Sequence, residues 1–479
     1  MSAPFQQHTS HRDGHEVIGV DVNPLKVKTV GLAEMNPDLV GVQAGRSAAK
    51  MGMNMRILVE PGCYDSLNMG DVAMLQVLVH RLSNLWPKAT IQVLTDDPER
   101  LLDYCPNVEP IDALGRRIWF QDGGLFSPLH KLLPETLSSA LLEIEGRVRR
   151  SSPANFERFL RFKKRLLRQD CASLTNFLRA VDEAALVVVS GQGSINDSFY
   201  AQGLNLLDVL GMAIRRGTPA ALFGQGIGPI TNRRLRIRVK QILPLVTGLA
   251  LREGRAGLPL LDSLKVDRSS VLITGDDAIE LAYNARANEL GEAIGLNIRV
   301  SGYSNMDDSL LEKVGAVLWR VSKKHEAPLV PVPIAINEEV SDVRSFRRLV
   351  KECKHPYESE ASLLTPMEVI TQISTCRIVV AGSYHAAVFA LAQGIPTVCL
   401  ANSAYYLDKF LGLANQFGVG CKVITDGAQI SENLEAALED SWRLAESTRR
   451  PLLEAAARQI EAGRDAYYQF YQQITSKRM

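Results

Sequence analysis

Short, almost wholly apolar runs recur along this chain, separated by longer stretches whose apolar residues fall at helical spacing. Met55-Arg-Ile-Leu-Val-Glu-Pro-Gly62, Ala89-Thr-Ile-Gln-Val-Leu-Thr95 and Ala184-Ala-Leu-Val-Val-Val-Ser-Gly191 are the first such runs. Thr218 to Gly224, Val246 to Arg252 and Val271 to Gly275 continue them. Each is too short for a buried helix and stops at glycine or polar residues, which predicts strands covered on both faces in a parallel sheet. Between the first two, Val72 to Leu82 carries a helical apolar stripe, so the order is strand, loop, helix, strand. A second series starts at Ala293-Ile-Gly-Leu-Asn-Ile-Arg299 and runs through Ala327 to Ala335, a helix from Pro366 to Ser374, and Ile378 to Leu400. The fold class expected is α/β: two Rossmann-like, doubly wound domains facing a cleft, with C-terminal helices.

The boundaries follow from that pattern. Residues 1–53 form an N-terminal appendage, 54–290 a first Rossmann-like domain and 291–430 a second, and 431–479 a helical tail. Within the first domain, 120–182 is an insertion of helix formers. The tail is predicted as two helices, about 431–447 and 451–475, because Pro451 suits a first helical turn. In the appendage, Gly14 to Val27 looks like the second strand of a nucleotide-sugar dehydrogenase, ending at a ribose-binding Asp21, but no G-x-G-x-x-G loop precedes it. It is expected to be non-functional, and Met51, Met53 and Met55 are alternative starts.

Composition narrows the class. The chain has 479 residues, 46% hydrophobic and 22% charged, with a formal net charge of +1. That excludes a disordered or fibrous chain and a global field for nucleic acid. Seven scattered cysteines read as reduced, and no cluster with metal-ligand spacing is visible. With no signal-peptide core and no membrane-length apolar run, a cytoplasmic protein is expected. Nine basic residues between Arg147 and Arg168, interleaved with Phe156, Phe159, Leu160, Leu166 and Leu167, fit either a solvated face or a peripheral contact with the inner membrane surface. Oligomeric state is not legible.

The candidate chemistry lies at strand ends, where open parallel sheets bind ligands. Asn68, Gly70 and Asp71 follow the first strand, although a turn and cap would also use them. Gly191, Gly193 and Asp197 follow another; Gln225 and Gly226 a third, with glycines letting backbone amides approach a ligand. Arg252 ends a fourth and Arg299 a fifth. In Ile378-Val-Val-Ala-Gly-Ser-Tyr-His385, Ser383 is placed to cap a helix whose first turn carries Tyr384 and His385, a site that favours anions. His385 fits equally well as a packed junction residue.

Taken together, Asn68-x-Gly70-Asp71, Ser190-Gly-Gln-Gly193 through Asp197, Gly224-Gln-Gly-Ile-Gly-Pro229, Arg252-Glu253, Gly275-Asp-Asp277, Ile294 to Arg299 and His385 through Gly394-Ile-Pro396 resemble the polysaccharide pyruvyl transferase family over residues 55–425. The resemblance implies a fold of the two-Rossmann glycosyltransferase-B type. It also implies transfer of a pyruvyl group from phosphoenolpyruvate to two sugar hydroxyls, with no cofactor beyond that donor and a glycan or lipid-linked glycan as acceptor. On this reading His385 is the acid/base and Arg252 the clamp on carboxylate or phosphate, while Asn68, Asp71 and Asp197 orient acceptor hydroxyls. The family's Arg-x-His is here Ser383-Tyr384-His385, so Lys409 and Arg299 are the cations expected to replace that arginine. A nucleotide-sugar glycosyltransferase of the same fold, and a glycan-binding member without chemistry, stay open beside it.

Overall fold

The computed structural model describes residues 55–122, 134–299, 308–337, 341–352 and 365–476. The dehydrogenase-like appendage and the alternative starts before Met55 therefore lie outside the described residues. Among those described, two wholly parallel sheets carry the fold. The first runs β3-β2-β1-β4-β5-β6-β7, with β1 Arg56–Glu60, β2 Thr90–Thr95, β3 Glu109–Asp112, β4 Leu186–Val189, β5 Ala220–Gln225, β6 Gly248–Leu251 and β7 Val271–Ile273. The second runs β12-β11-β10-β8-β9, with β8 Ala293–Asn297, β9 Leu329–Pro331, β10 Cys376–Ala381, β11 Thr397–Ala401 and β12 Cys421–Thr425.

Both orders reverse direction once, between β1 and β4 and between β8 and β10, and ligands bind outside the carboxyl ends at such points. Alternation along each strand explains the double burial. Val187 and Val189 of β4 join one core with Leu58 and Leu222, while Leu186 and Val188 join another with Tyr467 and Phe470. β10 splits likewise, with Ile378 and Val380 on one side and Val379 and Ala381 on the other. Each face is covered by helices.

The helices that matter below are α1 Met69–Leu85, α2 Glu135–Ser151, α3 Pro153–Leu166, α4 Tyr200–Arg215, α5 Arg233–Ile242, α6 Ala278–Asn284, α7 Tyr384–Ala392, α8 Ala404–Phe417 and α9 Ile430–Ser476. One correction concerns the tail, which is a single helix, α9, with Pro451 inside it. Proline removes a helical donor and costs about 3 kcal/mol in an interior. Packing on both sides outweighs that cost. Leu434 and Leu438 bury against the second sheet, Leu452, Ala455 and Ala456 against α7 and α1, and Tyr467 and Phe470 against the first sheet. At about 1.5 Å per residue this helix is on the order of 70 Å long and braces both domains.

A buried network ties α9 to α1 and α6. Arg81 bonds Asp277 at 2.7 Å and Glu280 at 2.6 Å, and Tyr467 donates to Asp277 at 2.7 Å. The domains also join directly: Met69 N–H donates to Ile334 carbonyl at 2.8 Å and Ile336 N–H to Leu67 carbonyl at 3.0 Å.

The basic stretch 147–168 is not one helix but parts of two, broken at Ser152-Pro153. Several of its charges are matched within the protein. Arg149 and Arg150 turn to Asp208, Arg147 to Glu143 and Arg161 to Glu157. Phe156 and Leu160 are core residues; Phe162, Leu166 and Leu167 are exposed at the end of α3.

Candidate active site

The two switch points face each other across a cavity of about 390 Å³, within the size range of small-molecule sites. Behind the lining residues Arg252 and His385 lies Asp276, beyond β7 and 4% exposed. Asp276 Oδ1 accepts from Ala278 N–H at 3.0 Å, fixing the carboxylate at the start of α6. Oδ2 faces Arg252 Nη1 at 3.4 Å and His385 Nε2 at 3.6 Å. The second distance is beyond hydrogen-bond length.

Arg252 lies flat between two backbones. A methyl group at Gly193 would come within 2.9 Å of Arg252 Nη2 and of Lys409 Nζ; one at Gly226 would come within 2.9 Å of Arg252 Nε and Nη2. On its other side the guanidinium stands 4.0 Å from the Tyr384 ring centroid, a stacked arrangement suited to arginine. The glycine turns thus make room for a cation, where backbone amides aimed at a ligand were expected. Lys409, on α8, stands over the Tyr405 ring at 3.9 Å and bonds its hydroxyl. Burial, then Arg252, hold its ammonium well below the usual lysine range.

Five polar atoms of cavity-lining residues are buried with no hydrogen-bond partner among the described residues: Gln192 Nε2, Arg252 Nη2, Ser383 Oγ, Tyr384 Oη and His385 Nε2. Ser383 occupies the N-cap position of α7, yet its side chain makes no cap bond, contrary to expectation. Unpaired buried polar groups are rare and costly, and five of them gather beside this cavity.

Asp71 lies opposite, in the first turn of α1. Burial pushes its carboxyl above the usual carboxylate range, and His385, Arg252 and Lys409 offset that only in part. Burial pushes Asp276 the same way, but His385 and Arg252 outweigh it and hold that carboxyl low. Two neighbouring carboxyls are driven apart, the pattern of separate acid and base roles. Asp65 and Asp96 line the same end of the cavity as Asp71. Cys63 also lines it, and burial, then Asp71 and Asp65, raise its thiol, which disfavours the reactive thiolate.

The remaining sequence candidates divide. Asn68 lines the cavity and also caps α1, accepting from Gly70 and Asp71 N–H at 3.1 and 3.3 Å. Arg299 lines it with its charge met by Asp342, at 2.7 and 2.9 Å. Four others sit behind the lining. Gln225 donates to Ser190 carbonyl at 2.7 Å, and Gly191 packs on Met74. Asp197 holds the next loop, accepting from Thr231 and Asn232 N–H at 2.6 and 3.1 Å. Gly70 carries the His385 ring against its Cα, leaving no room for a methyl group. Gly70→Ala is therefore expected to cost about 1–3 kcal/mol; a melting temperature equal to wild type would refute the contact.

Asp276 is the residue that sequence reasoning passed over as a site residue. Its signal was Gly275-Asp-Asp277 at a strand end, where one acid braces α9 and the other stands behind Arg252 and His385. Asp342, Tyr405 and Gln192 had no comparable signal, since their roles arise only on folding.

The sheet orders and the cleft define a two-Rossmann-domain protein of the glycosyltransferase-B type. The chain belongs to the polysaccharide pyruvyl transferase family, whose model matches residues 68–404. No curated protein matches it. Similar solved structures include UDP-GlcNAc 2-epimerase from Neisseria meningitidis bound to UDP-GlcNAc, 11% identical over 85% of this chain and 98% of that one, with a TM-score of 0.46. A glycosyltransferase from Rickettsia africae is 10% identical over 88% and 99%, TM-score 0.47. A UDP-glucosyltransferase from Polygonum tinctorium is 11% identical over 88% and 99%, TM-score 0.49.

Proposed function

We propose that this chain transfers the pyruvyl group of phosphoenolpyruvate to two hydroxyls of one sugar, forming a cyclic ketal during assembly of an exopolysaccharide or cell-surface glycan. The observation that carries the reading is the group of unpaired polar atoms on Gln192, Arg252, Ser383, Tyr384 and His385, set opposite Asp71, whose carboxyl burial pushes above the usual carboxylate range. A trianionic donor needs cations and donors on one side and a proton on the other. Lys409 and Arg252 meet its phosphate and carboxylate, with Ser383 and Tyr384 as hydroxyl donors in place of the family's arginine.

In this reading Asp71 gives its proton to the vinyl carbon, leaving an oxocarbenium-like centre. The first sugar hydroxyl adds to it, losing its proton to His385, whose positive charge the carboxylate of Asp276 then offsets from 3.6 Å. Phosphate departs carrying one proton, and the second hydroxyl closes the ketal while its proton returns to Asp71. The balance is one phosphoenolpyruvate and one diol to one ketal and one hydrogen phosphate. Asn68 and the acidic end of the cavity hold the acceptor, and no cofactor enters these steps.

The test is to incubate the protein with phosphoenolpyruvate and a panel of glycans and follow phosphate release with acceptor mass. Phosphate release coupled to a pyruvyl mass gain is expected. Stabilisation by a nucleoside diphosphate, with none by phosphoenolpyruvate, would replace this reading with the nucleotide-sugar one.

No helix among the described residues is long and apolar enough to cross a membrane. The same reading puts the protein on the cytoplasmic side, meeting a lipid-linked acceptor at the membrane surface. The contact is narrowed to Phe162, Leu166 and Leu167 with Lys163, Lys164, Arg165 and Arg168 around them, an apolar tip ringed by cations. Leu166→Glu/Leu167→Glu is expected to abolish flotation with anionic vesicles; full retention would remove the contact.

A further inference from the structure

Away from the cleft, the junction of α2, α4 and α5 gathers four arginines around one carboxylate. Asp208 of α4 is 4% exposed. It meets Arg149 Nη2 and Arg150 Nη1, both at 3.3 Å, and Arg238 Nε at 2.7 Å. Arg215, at the end of α4, lies beside them. A methyl at Gly211 would stand 2.5 Å from Arg238 Nη2 and 3.4 Å from Arg215 Nη1, so two guanidinium edges converge over that glycine. Among the described residues, the other carboxylate paired within this group is Glu145, 4.0 Å from Arg149 Nη1. Neighbouring arginines are already matched outside it, Arg234 by Glu143 and Arg216 by Asp182.

Four cations against two carboxylates leave two positive charges in excess, with Arg149 and Arg238 buried and Arg150 and Arg215 part-exposed. Arg238 Nη2 and Arg149 Nε are buried without a hydrogen-bond partner among the described residues, and each of these arginines is 8% exposed. Burial, then the charge of Arg238, lower Arg215 to about 10. An uncompensated buried charge is strongly destabilising. A tetrahedral oxyanion removes that cost, because guanidinium forks match phosphate geometry. None of these residues lines the catalytic cavity.

We propose that this arginine junction is a second anion site, which takes a phosphate or pyrophosphate group. The group has two sources, free phosphate or an anionic lipid headgroup, the latter because the neighbouring α3 carries the exposed apolar tip.

The experiment compares the full chain with Arg150→Gln/Arg215→Gln. In low-salt buffer without phosphate, the variant is expected to melt at or above wild type, since like-charge repulsion is relieved. With saturating inorganic pyrophosphate, wild type should gain about 2–5 °C more than the variant. Calorimetry should count one more pyrophosphate per chain in wild type, the catalytic cleft contributing equally to both. Equal stoichiometry and equal gains overturn the proposal, as does a variant that melts well below wild type without anion. Arg150→Gln alone, at a half-exposed position, serves as the milder variant. Where the stoichiometry falls and flotation with phosphatidylglycerol vesicles falls with it, the source is a lipid headgroup; where flotation is unchanged, it is free phosphate.

Discussion

Arg252→Met is expected to lower kcat/KM for phosphoenolpyruvate-dependent phosphate release by on the order of 10³-fold, and Arg252→Lys by about 10²-fold. The reason is positional. The guanidinium is clamped between the backbones of Gly193 and Gly226 and the ring of Tyr384, with Nη1 toward Asp276 and Nη2 unpaired at the cavity wall. Lysine keeps the charge but has no planar fork to fill that slot, so it cannot serve Asp276 and a donor together. The loss should fall on kcat as well as KM, because the proposed reaction has Arg252 meet the charge that develops on the departing phosphate. Both variants should also melt lower, since Asp276 is left buried with one fewer partner. Steady-state phosphate release decides the matter: Arg252→Lys within threefold of wild type would show that the arginine supports the fold and not the reaction.

The architecture was legible wherever a strand is buried on both faces, because such a strand must be apolar throughout. β4 and β10 are of that kind. β3 and β12 escaped notice because they are edge strands. One is four residues with Pro110 in it, which an edge tolerates, and the other is half-exposed along its length. Pro451 was misread for a related reason: its local preference is to start a helix, and only contacts with two separate cores show why the helix runs through it. In the site, His385 and Arg252 were legible as polar residues at element ends, and Lys409 as a cation within an apolar helix. The glycines were legible as close approaches, but not what approaches them. Gly193 and Gly226 admit an arginine, and Gly70 admits a histidine from the other domain. Asp197 and Gln225 carry the same polar chemistry as the cavity residues, and nothing in a strand-end pattern distinguishes a side chain that faces the cleft from one that secures the next loop.

Asp71→Asn is expected to separate function from stability. As proton donor to the vinyl carbon, Asp71 should be worth about 10²–10⁴-fold in kcat, so the asparagine variant turns over slowly at every pH. Its effect on stability has the opposite sign. Burial raises the folded-state pKa of this carboxyl above its unfolded value. A group raised in this way stabilises fully below its unfolded pKa, and that contribution is lost as pH rises through the folded pKa. As pH rises, the wild-type protein has to ionise a carboxyl in a place that disfavours the charge, or hold its proton at a cost that grows with pH, whereas asparagine has nothing to ionise. The variant should therefore melt a few degrees above wild type at pH 8, and the gap should close as pH falls toward the ordinary aspartate range. Asp276→Asn gives the contrast, since that carboxyl is held low by His385 and Arg252, and its loss should destabilise at pH 8. Melting curves between pH 4 and 8 for the three proteins read this directly. A variant at Asp71 that is less stable than wild type at pH 8 would mean the carboxylate is ionised and satisfied there, and the proton for the vinyl carbon would have to come from His385 instead.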